Sequence, residues 1–153
     1  MKYSPEWEPS KMIVVDANMA VRAAIHGESS SAYLARFERW HEENVPVCAP
    51  AFWEAEAVSA IRQYAYRMEI TSPEAHEAVD VFFDLRVEVV PLDKELCQSV
   101  LRWTAKIHQS KVYDSLYLAL AERLHADFWT ADKKLADAAR TAGAKWAHWA
   151  GEV

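Results

Sequence analysis

Met12-Ile13-Val14-Val15-Asp16 decides how this chain is to be read. The four apolar residues form a run of the kind that is buried in a parallel sheet, with no polar face to show to water. The acidic residue that ends the run then stands at the carboxyl end of a strand. In open parallel sheets that edge, near a switch in strand order, is where ligands bind.

Outward from this run the pattern alternates. Ser29-Ser30-Ser31 offers caps for a helix over 32–43, in which Tyr33, Leu34, Phe37 and Trp40 recur at helical spacing. Val45-Pro46-Val47-Cys48-Ala49 reads as a second strand, and Pro50 is well placed as the first residue of a helix reaching about Met68. Ser72-Pro73 opens a helix ending near Leu85, and 87–90 is a third strand. Asp93 caps a helix carrying Leu96, Val100, Trp103 and Ile107, and Ser110 could cap another over 111–125. A strand over 127–130, a helix over 133–141 stopped by Gly143, and a strand over 145–149 complete the series. Such alternation implies a three-layer α/β/α sandwich around a central, mostly parallel sheet. The chain has no internal repeat or long linker, so residues 12–153 are expected to form a single domain behind an arm of residues 1–11.

The 153 residues are enough for one core without disulfide staples. No apolar stretch approaches the roughly 18 residues needed to cross a bilayer. The first residues carry prolines and glutamates rather than a signal-peptide core, so a cytoplasmic location is expected. Cys48 and Cys97 lack metal-site spacing and read as buried thiols. The net charge of −6 argues against a general nucleic-acid coat, which needs clustered Lys and Arg, and suits a partner with a basic tail. It leaves a nuclease open, since a carboxylate cleft is itself acidic and Lys133-Lys134 could guide a backbone. The tryptophans Trp40, Trp53, Trp103 and Trp129 fall at core positions, while Trp146 and Trp149 are the best placed to stack on bases if exposed. The histidines show no zinc spacing and read as surface groups.

Four acidic residues sit where this pattern would aim them at one edge. Asp16 and Asp132 follow strands, Asp114 lies in the first turn of its helix, and Glu56 lies in the segment after Pro50. Each has a bland reading: Asp16 and Asp132 could cap the helices that follow, and Asp114 could complement a helix dipole. Together they read better as one site. Clustered carboxylates need positive charge, and Mg²⁺ or Mn²⁺ takes oxygen ligands while keeping waters. Thr130 is a strand residue whose hydroxyl could support such a site. Glu54 competes with Glu56, because the two flank the stripe of Trp53, Ala57, Ala60, Ile61 and Tyr64 on opposite sides.

These residues carry a resemblance. Val14-Val15-Asp16-Ala17-Asn18, Tyr113-Asp114-Ser115-Leu116-Tyr117-Leu118-Ala119-Leu120-Ala121-Glu122 and Phe128-Trp129-Thr130-Ala131-Asp132-Lys133-Lys134-Leu135 resemble the motifs of PIN-domain ribonucleases of the VapC toxin type. The likeness runs from about Lys11 to Trp149. It implies that Asp16, Glu56, Asp114 and Asp132 form the catalytic, metal-holding set. The choice of Glu56 over Glu54 rests on the family's spacing from the proline, and Ser59 stands where such proteins often carry Asn. The resemblance further implies an endoribonuclease acting on RNA, a homodimer, and a cognate antitoxin that inserts an Arg among the carboxylates. A silent PIN module that only binds RNA or protein is the alternative. A haloacid-dehalogenase-like phosphohydrolase fits less well, because its Asp-x-Asp pair would need an acid where Asn18 stands.

Overall fold

β1 (Ile13–Val15) is buried on both faces and lies at the centre of a five-stranded sheet. The computed structural model describes residues 12–25, 27 and 30–152, so the arm of residues 1–11 and Ser29 lie outside the described residues. The other strands are β2 (Val47–Pro50), β3 (Glu88–Val90), β4 (Asp127–Thr130) and β5 (Ala147–Trp149). Their order is β3-β2-β1-β4-β5, and every neighbouring pair is parallel.

The helices are α1 (Ala17–Ala24), α2 (Ser30–Glu42), α3 (Trp53–Tyr66), α4 (Ser72–Asp84), α5 (Lys94–Lys106), α6 (Tyr113–Leu124) and α7 (Lys133–Thr141). Right-handed crossovers sort them into two layers. The steps from β1 through β2 to β3 run one way across the sheet and place α1 to α4 on one face. The return from β3 to β4 and on to β5 places α5, α6 and α7 on the other. The packing agrees: α1 meets α2, α3 and α4, whereas α6 lies between α5 and the strands β1, β2 and β4. The α/β/α sandwich is therefore present, and its strand order reverses between β1 and β4.

Sequence explains most of the boundaries. Ser115 to Ala121 are all buried, so α6 is apolar almost all round and is wedged under the sheet. Each fully buried leucine there, Leu118 and Leu120 among them, contributes about 1.5–3 kcal/mol. Thr71 and Glu74 form a reciprocal capping box at the start of α4. Asp93 caps α5 by accepting from the Leu96 amide at 2.8 Å, and Gly143 ends α7 with φ of 105°.

Several expectations need correction. Pro50 does not open a helix: it closes β2 opposite Val90, and Ala51 then donates to the Val90 carbonyl at 2.8 Å. A proline at a strand end has no N–H to waste, so the residue type suits either role. The helix starts at Trp53, after Phe52 turns the chain through a left-handed φ of 93°. Ser110 does not cap α6, which begins at Tyr113 behind Val112 with no side-chain cap. α2 starts at Ser30, two residues before the expected position, and the Ser30 hydroxyl donates to the Gly27 carbonyl at 3.0 Å. Cys97 is exposed, unlike Cys48. Trp146 and Trp149 are half-buried rather than free to stack: Trp146 meets Trp103 edge-on, and the Trp149 indole donates to the Ala131 carbonyl at 3.3 Å.

Candidate active site at four helix starts

In a parallel sheet with right-handed crossovers, helices begin at the edge where strands end, so helix N-termini gather there. Asp16 is the N-cap of α1, and Asp132 is the N-cap of α7. Asp114 lies in the first turn of α6, and Glu56 lies in the first turn of α3. Each of the four candidate acids is thus held at a helix start, where backbone N–H groups and the helix dipole favour negative charge. For Asp16 and Asp132 the capping and site readings are compatible, since each carboxylate has one oxygen on a cap amide, Met19 or Leu135.

The β1–β4 flank is a connected network. Pairing of Val15 with Trp129 sets Asp16 and Thr130 side by side, one residue on. The Thr130 hydroxyl donates to Oδ2 of Asp16 and accepts from the Asp132 amide at 2.9 Å. Oδ1 of Asp16 accepts from the Met19 amide at 2.9 Å, and Oδ1 of Asp132 accepts from the Leu135 amide at 3.2 Å. Thr130 is fully buried and Asp16 is 3% exposed, so this network lies in the protein rather than on it.

The α3–α6 flank is built differently. Neither helix has a side-chain cap. The ring of Phe52 stacks on that of Tyr113, with centroids 4.6 Å apart and planes 13° apart. This stack ties together the helix starts that carry Glu56 and Asp114. Phe52 holds a conformation that bulky residues rarely adopt, at a cost on the order of 1–3 kcal/mol. Among the described residues, four buried side-chain atoms lack a hydrogen-bond partner: Trp53 Nε1, Glu56 Oε2, Ser115 Oγ and the Tyr117 hydroxyl. All four are on α3 and α6.

Electrostatics bind the flanks into one cluster. Burial raises the Asp16 carboxyl to about 7, against the pull of its bonds to Thr130 and Met19, with Asp114 and Asp132 adding repulsion. Burial likewise raises Glu56 to about 7, with Asp16 and Asp114 adding to it, while the nearby Tyr117 hydroxyl acts the other way. Tyr117 is close enough for that influence without meeting hydrogen-bond geometry. Burial also raises Asp114, opposed by the Gln109 side chain and reinforced by Asp132. Of the two glutamates, Glu56 stands close enough to Asp16 and Asp114 to be repelled by both.

Such a cluster is short of positive charge. Its donors are all oxygens, it contains an unpartnered buried carboxylate oxygen, and it holds acids that repel one another, which together fit a hard divalent cation. Among the described residues, no three His, Cys, Asp or Glu side chains are already arranged as a ready-made ligand set. Basic groups stand on either side. One pocket of about 320 Å³ is lined by Asn18, Arg22, Tyr64, Asp132, Lys133 and Lys134, among others, and another of about 470 Å³ by His108, Gln109, Lys111, Tyr113 and Asp114, among others.

The sequence pattern singles out neither the basic residues Arg22 and Lys111 nor a role for Tyr117. The signal for Tyr117 was its position three residues after Asp114, on the same helix face.

Comparison with known proteins agrees with this arrangement. A model of the PIN domain matches residues 14–145. The chain is 31% identical over 126 residues to the VapC ribonuclease Mb0985 of Mycobacterium bovis (strain ATCC BAA-935 / AF2122/97), covering 82% of this chain and 90% of that one. Two solved structures share the fold. PAE2754 from Pyrobaculum aerophilum superposes with a TM-score of 0.62 at 20% identity, over 83% of this chain and 78% of that chain. A toxin–antitoxin complex from Klebsiella pneumoniae superposes with a TM-score of 0.61 at 12% identity, over 90% of this chain and 97% of that chain. The chain belongs to the PIN-domain family, and within it to the VapC type.

Proposed function

We propose that this protein is a metal-dependent endoribonuclease that hydrolyses RNA phosphodiester bonds and acts as the toxin of a toxin–antitoxin pair. Ribonuclease action is supported by the VapC ribonuclease relative and the shared family. The observation that carries the chemistry is the coupling of Asp16, Glu56 and Asp114, all raised by burial and mutual repulsion at one strand-end edge. In this reading Asp16, Glu56, Asp114 and Asp132 together hold Mg²⁺ or Mn²⁺. Bound there, the ion would lower the pKa of a water and offset charge gathering on the phosphate. Thr130 fixes the angle of Asp16, and the amides of Met19 and Leu135 hold Asp16 and Asp132 at their caps. The cations Arg22, Lys133 and Lys134 on one side and Lys111 on the other would receive the flanking phosphates of the strand.

An antitoxin partner is supported by the toxin–antitoxin complex that shares this fold, and the acidic cluster suits an inserted Arg. A homodimer is part of the same proposal. Its support is the exposed apolar groove of Phe52, Leu92, Leu101 and Tyr113, a surface of the kind that protein partners cover. No helix among the described residues is long and apolar enough to cross a membrane.

The decisive experiment is cleavage of RNA by purified protein with Mn²⁺, comparing wild type with Asp16→Ala and Asp114→Ala. Loss of cleavage in both variants is expected. Metal-dependent cleavage that survives both substitutions would place the chemistry elsewhere. A wild type that binds RNA without cutting it would favour the binding-module reading. Sedimentation tests the dimer, with a mass of one chain as the outcome against it.

A further inference from the structure

Tyr117 is 1% exposed and stands one turn after Asp114 on α6. Its ring lies against Phe128 of β4, with centroids 6.1 Å apart and planes 20° apart, so its direction is fixed by packing. Its hydroxyl has no hydrogen-bond partner. A buried hydroxyl left without a partner costs stability, and a phenylalanine of the same shape would avoid that cost. Stability therefore does not account for the oxygen. Its surroundings do: the groups that influence it are the carboxylates of Glu56, Asp16 and Asp114 and the backbone at Ala17. Oε2 of Glu56, likewise buried, likewise lacks a partner.

A cluster of this kind needs its carboxylates aimed without being neutralised. An Arg or Lys behind Glu56 would consume the charge that a cation is to meet. A phenol offers one neutral donor on a rigid ring and leaves the carboxylate charge in place. Thr130 has this relation to Asp16 on the opposite flank, as a neutral hydroxyl donating to a carboxylate from the protein side.

We propose that Tyr117 is the positioning residue for Glu56, its hydroxyl donating to that carboxylate when the acids draw together around a divalent cation. The inference rests on the metal-dependent reading of the site given above. It makes Tyr117 a partner that acts through Glu56, as groups behind metal ligands do, and removing such groups costs about 10–100-fold in metal affinity.

The test is Tyr117→Phe, read by Mn²⁺ titration calorimetry and by thermal melting without metal. Metal-free melting is expected at the wild-type temperature or above it, with Mn²⁺ affinity reduced about 10–100-fold. In a Glu56→Gln background the same substitution should change Mn²⁺ affinity no further, because the two act as one unit. Wild-type affinity in Tyr117→Phe overturns the proposal, as does a full, additive effect in the Glu56→Gln background. A lower metal-free melting temperature with unchanged affinity also overturns it, by making the hydroxyl structural. A wild type that neither binds Mn²⁺ nor cleaves RNA removes the parent reading as well. A wild type that does both while Tyr117→Phe matches it removes only the role of Tyr117.

Discussion

The two flanks of Asp16 solve the same problem in opposite ways. On the β1–β4 flank, both Asp16 oxygens, the Thr130 hydroxyl and the Asp132 amide are engaged in one chain of hydrogen bonds. On the α3–α6 flank, two helices start without side-chain caps, one behind a strained residue, and among the described residues the buried side-chain polar atoms without partners are confined to them. The first flank is complete as folded. The second carries unsatisfied groups that folding alone does not explain, the pattern expected where stability is given up for function. A fixed half can set the geometry while an unsatisfied half supplies the pull on a ligand.

Breaking the fixed flank at its centre should have the largest effect. Asp16→Asn is expected to reduce Mn²⁺-dependent cleavage by more than about 100-fold, since losses from the groups behind metal ligands already reach that size. At about pH 8 without metal, the same variant should melt higher than wild type, because a buried, repelled charge is gone. Rates and melting curves on one preparation check both halves of that statement.

Thr130→Val keeps the shape and removes the hydroxyl that joins Asp16 to Asp132. Leaving those groups without it should cost about 1–3 kcal/mol, or roughly 2 to 12 °C in melting temperature. Cleavage should fall about 10–100-fold. If Thr130→Val melts normally, the fixed flank is not held by this hydroxyl.

The pH dependence of stability sharpens the contrast. Asp16 and Glu56 are both raised to about 7 in the folded protein, from ordinary values of 3.8 and 4.5. The folded state therefore holds these protons more tightly than the unfolded chain does. The associated stability is complete below about pH 4 and is lost as pH rises through about 7. Metal-free protein should accordingly melt lower at about pH 8 than at about pH 5, and Glu56→Gln should flatten part of that slope. A slope unchanged by Glu56→Gln would remove the α3–α6 flank from the electrostatic cluster.

The smallest effect concerns the clamp between helix starts. Tyr113→Leu should lose the stacking contribution of about 0.5–1.5 kcal/mol. Phe52→Gly loses the same stack but relieves the left-handed strain, so the two changes oppose each other and its melting temperature should fall less than the large truncation implies. Melting of the two variants side by side separates strain from stacking.

Legibility in the sequence followed the same division. β4 and α7 were readable to the residue, because Asp132 and Gly143 punctuate a strand and a strongly amphipathic helix. The strain at Phe52 was not readable, and neither was the late start of α3, because Ala51-Phe52 offers no turn-forming residue type. Pro50 misled for a physical reason: its missing N–H suits a strand end as well as a helix start. α1 was legible only as a helix that Asp16 could cap, without bounds, since just Asn18 and Arg22 of its eight residues are not buried. The alternation of strands and helices aimed the acids at one edge, but which of them are neighbours depends on β4 pairing with β1, a fact of tertiary order that no local pattern encodes.

That pairing also governs when the protein acquires its site. Asp16 and Thr130 are separated by 114 positions in the chain. β1 can meet β2 early in synthesis, but it gains β4 only after α5 and α6 have been made and laid across the sheet. Contacts of such long sequence range close late and slowly. A growing chain that has already made Asp16, Glu56 and Asp114 still lacks the hydroxyl and the strand that bring them into register. The acid cluster is therefore complete only once β4 lies beside β1, which makes its assembly one of the longest-range events in the fold.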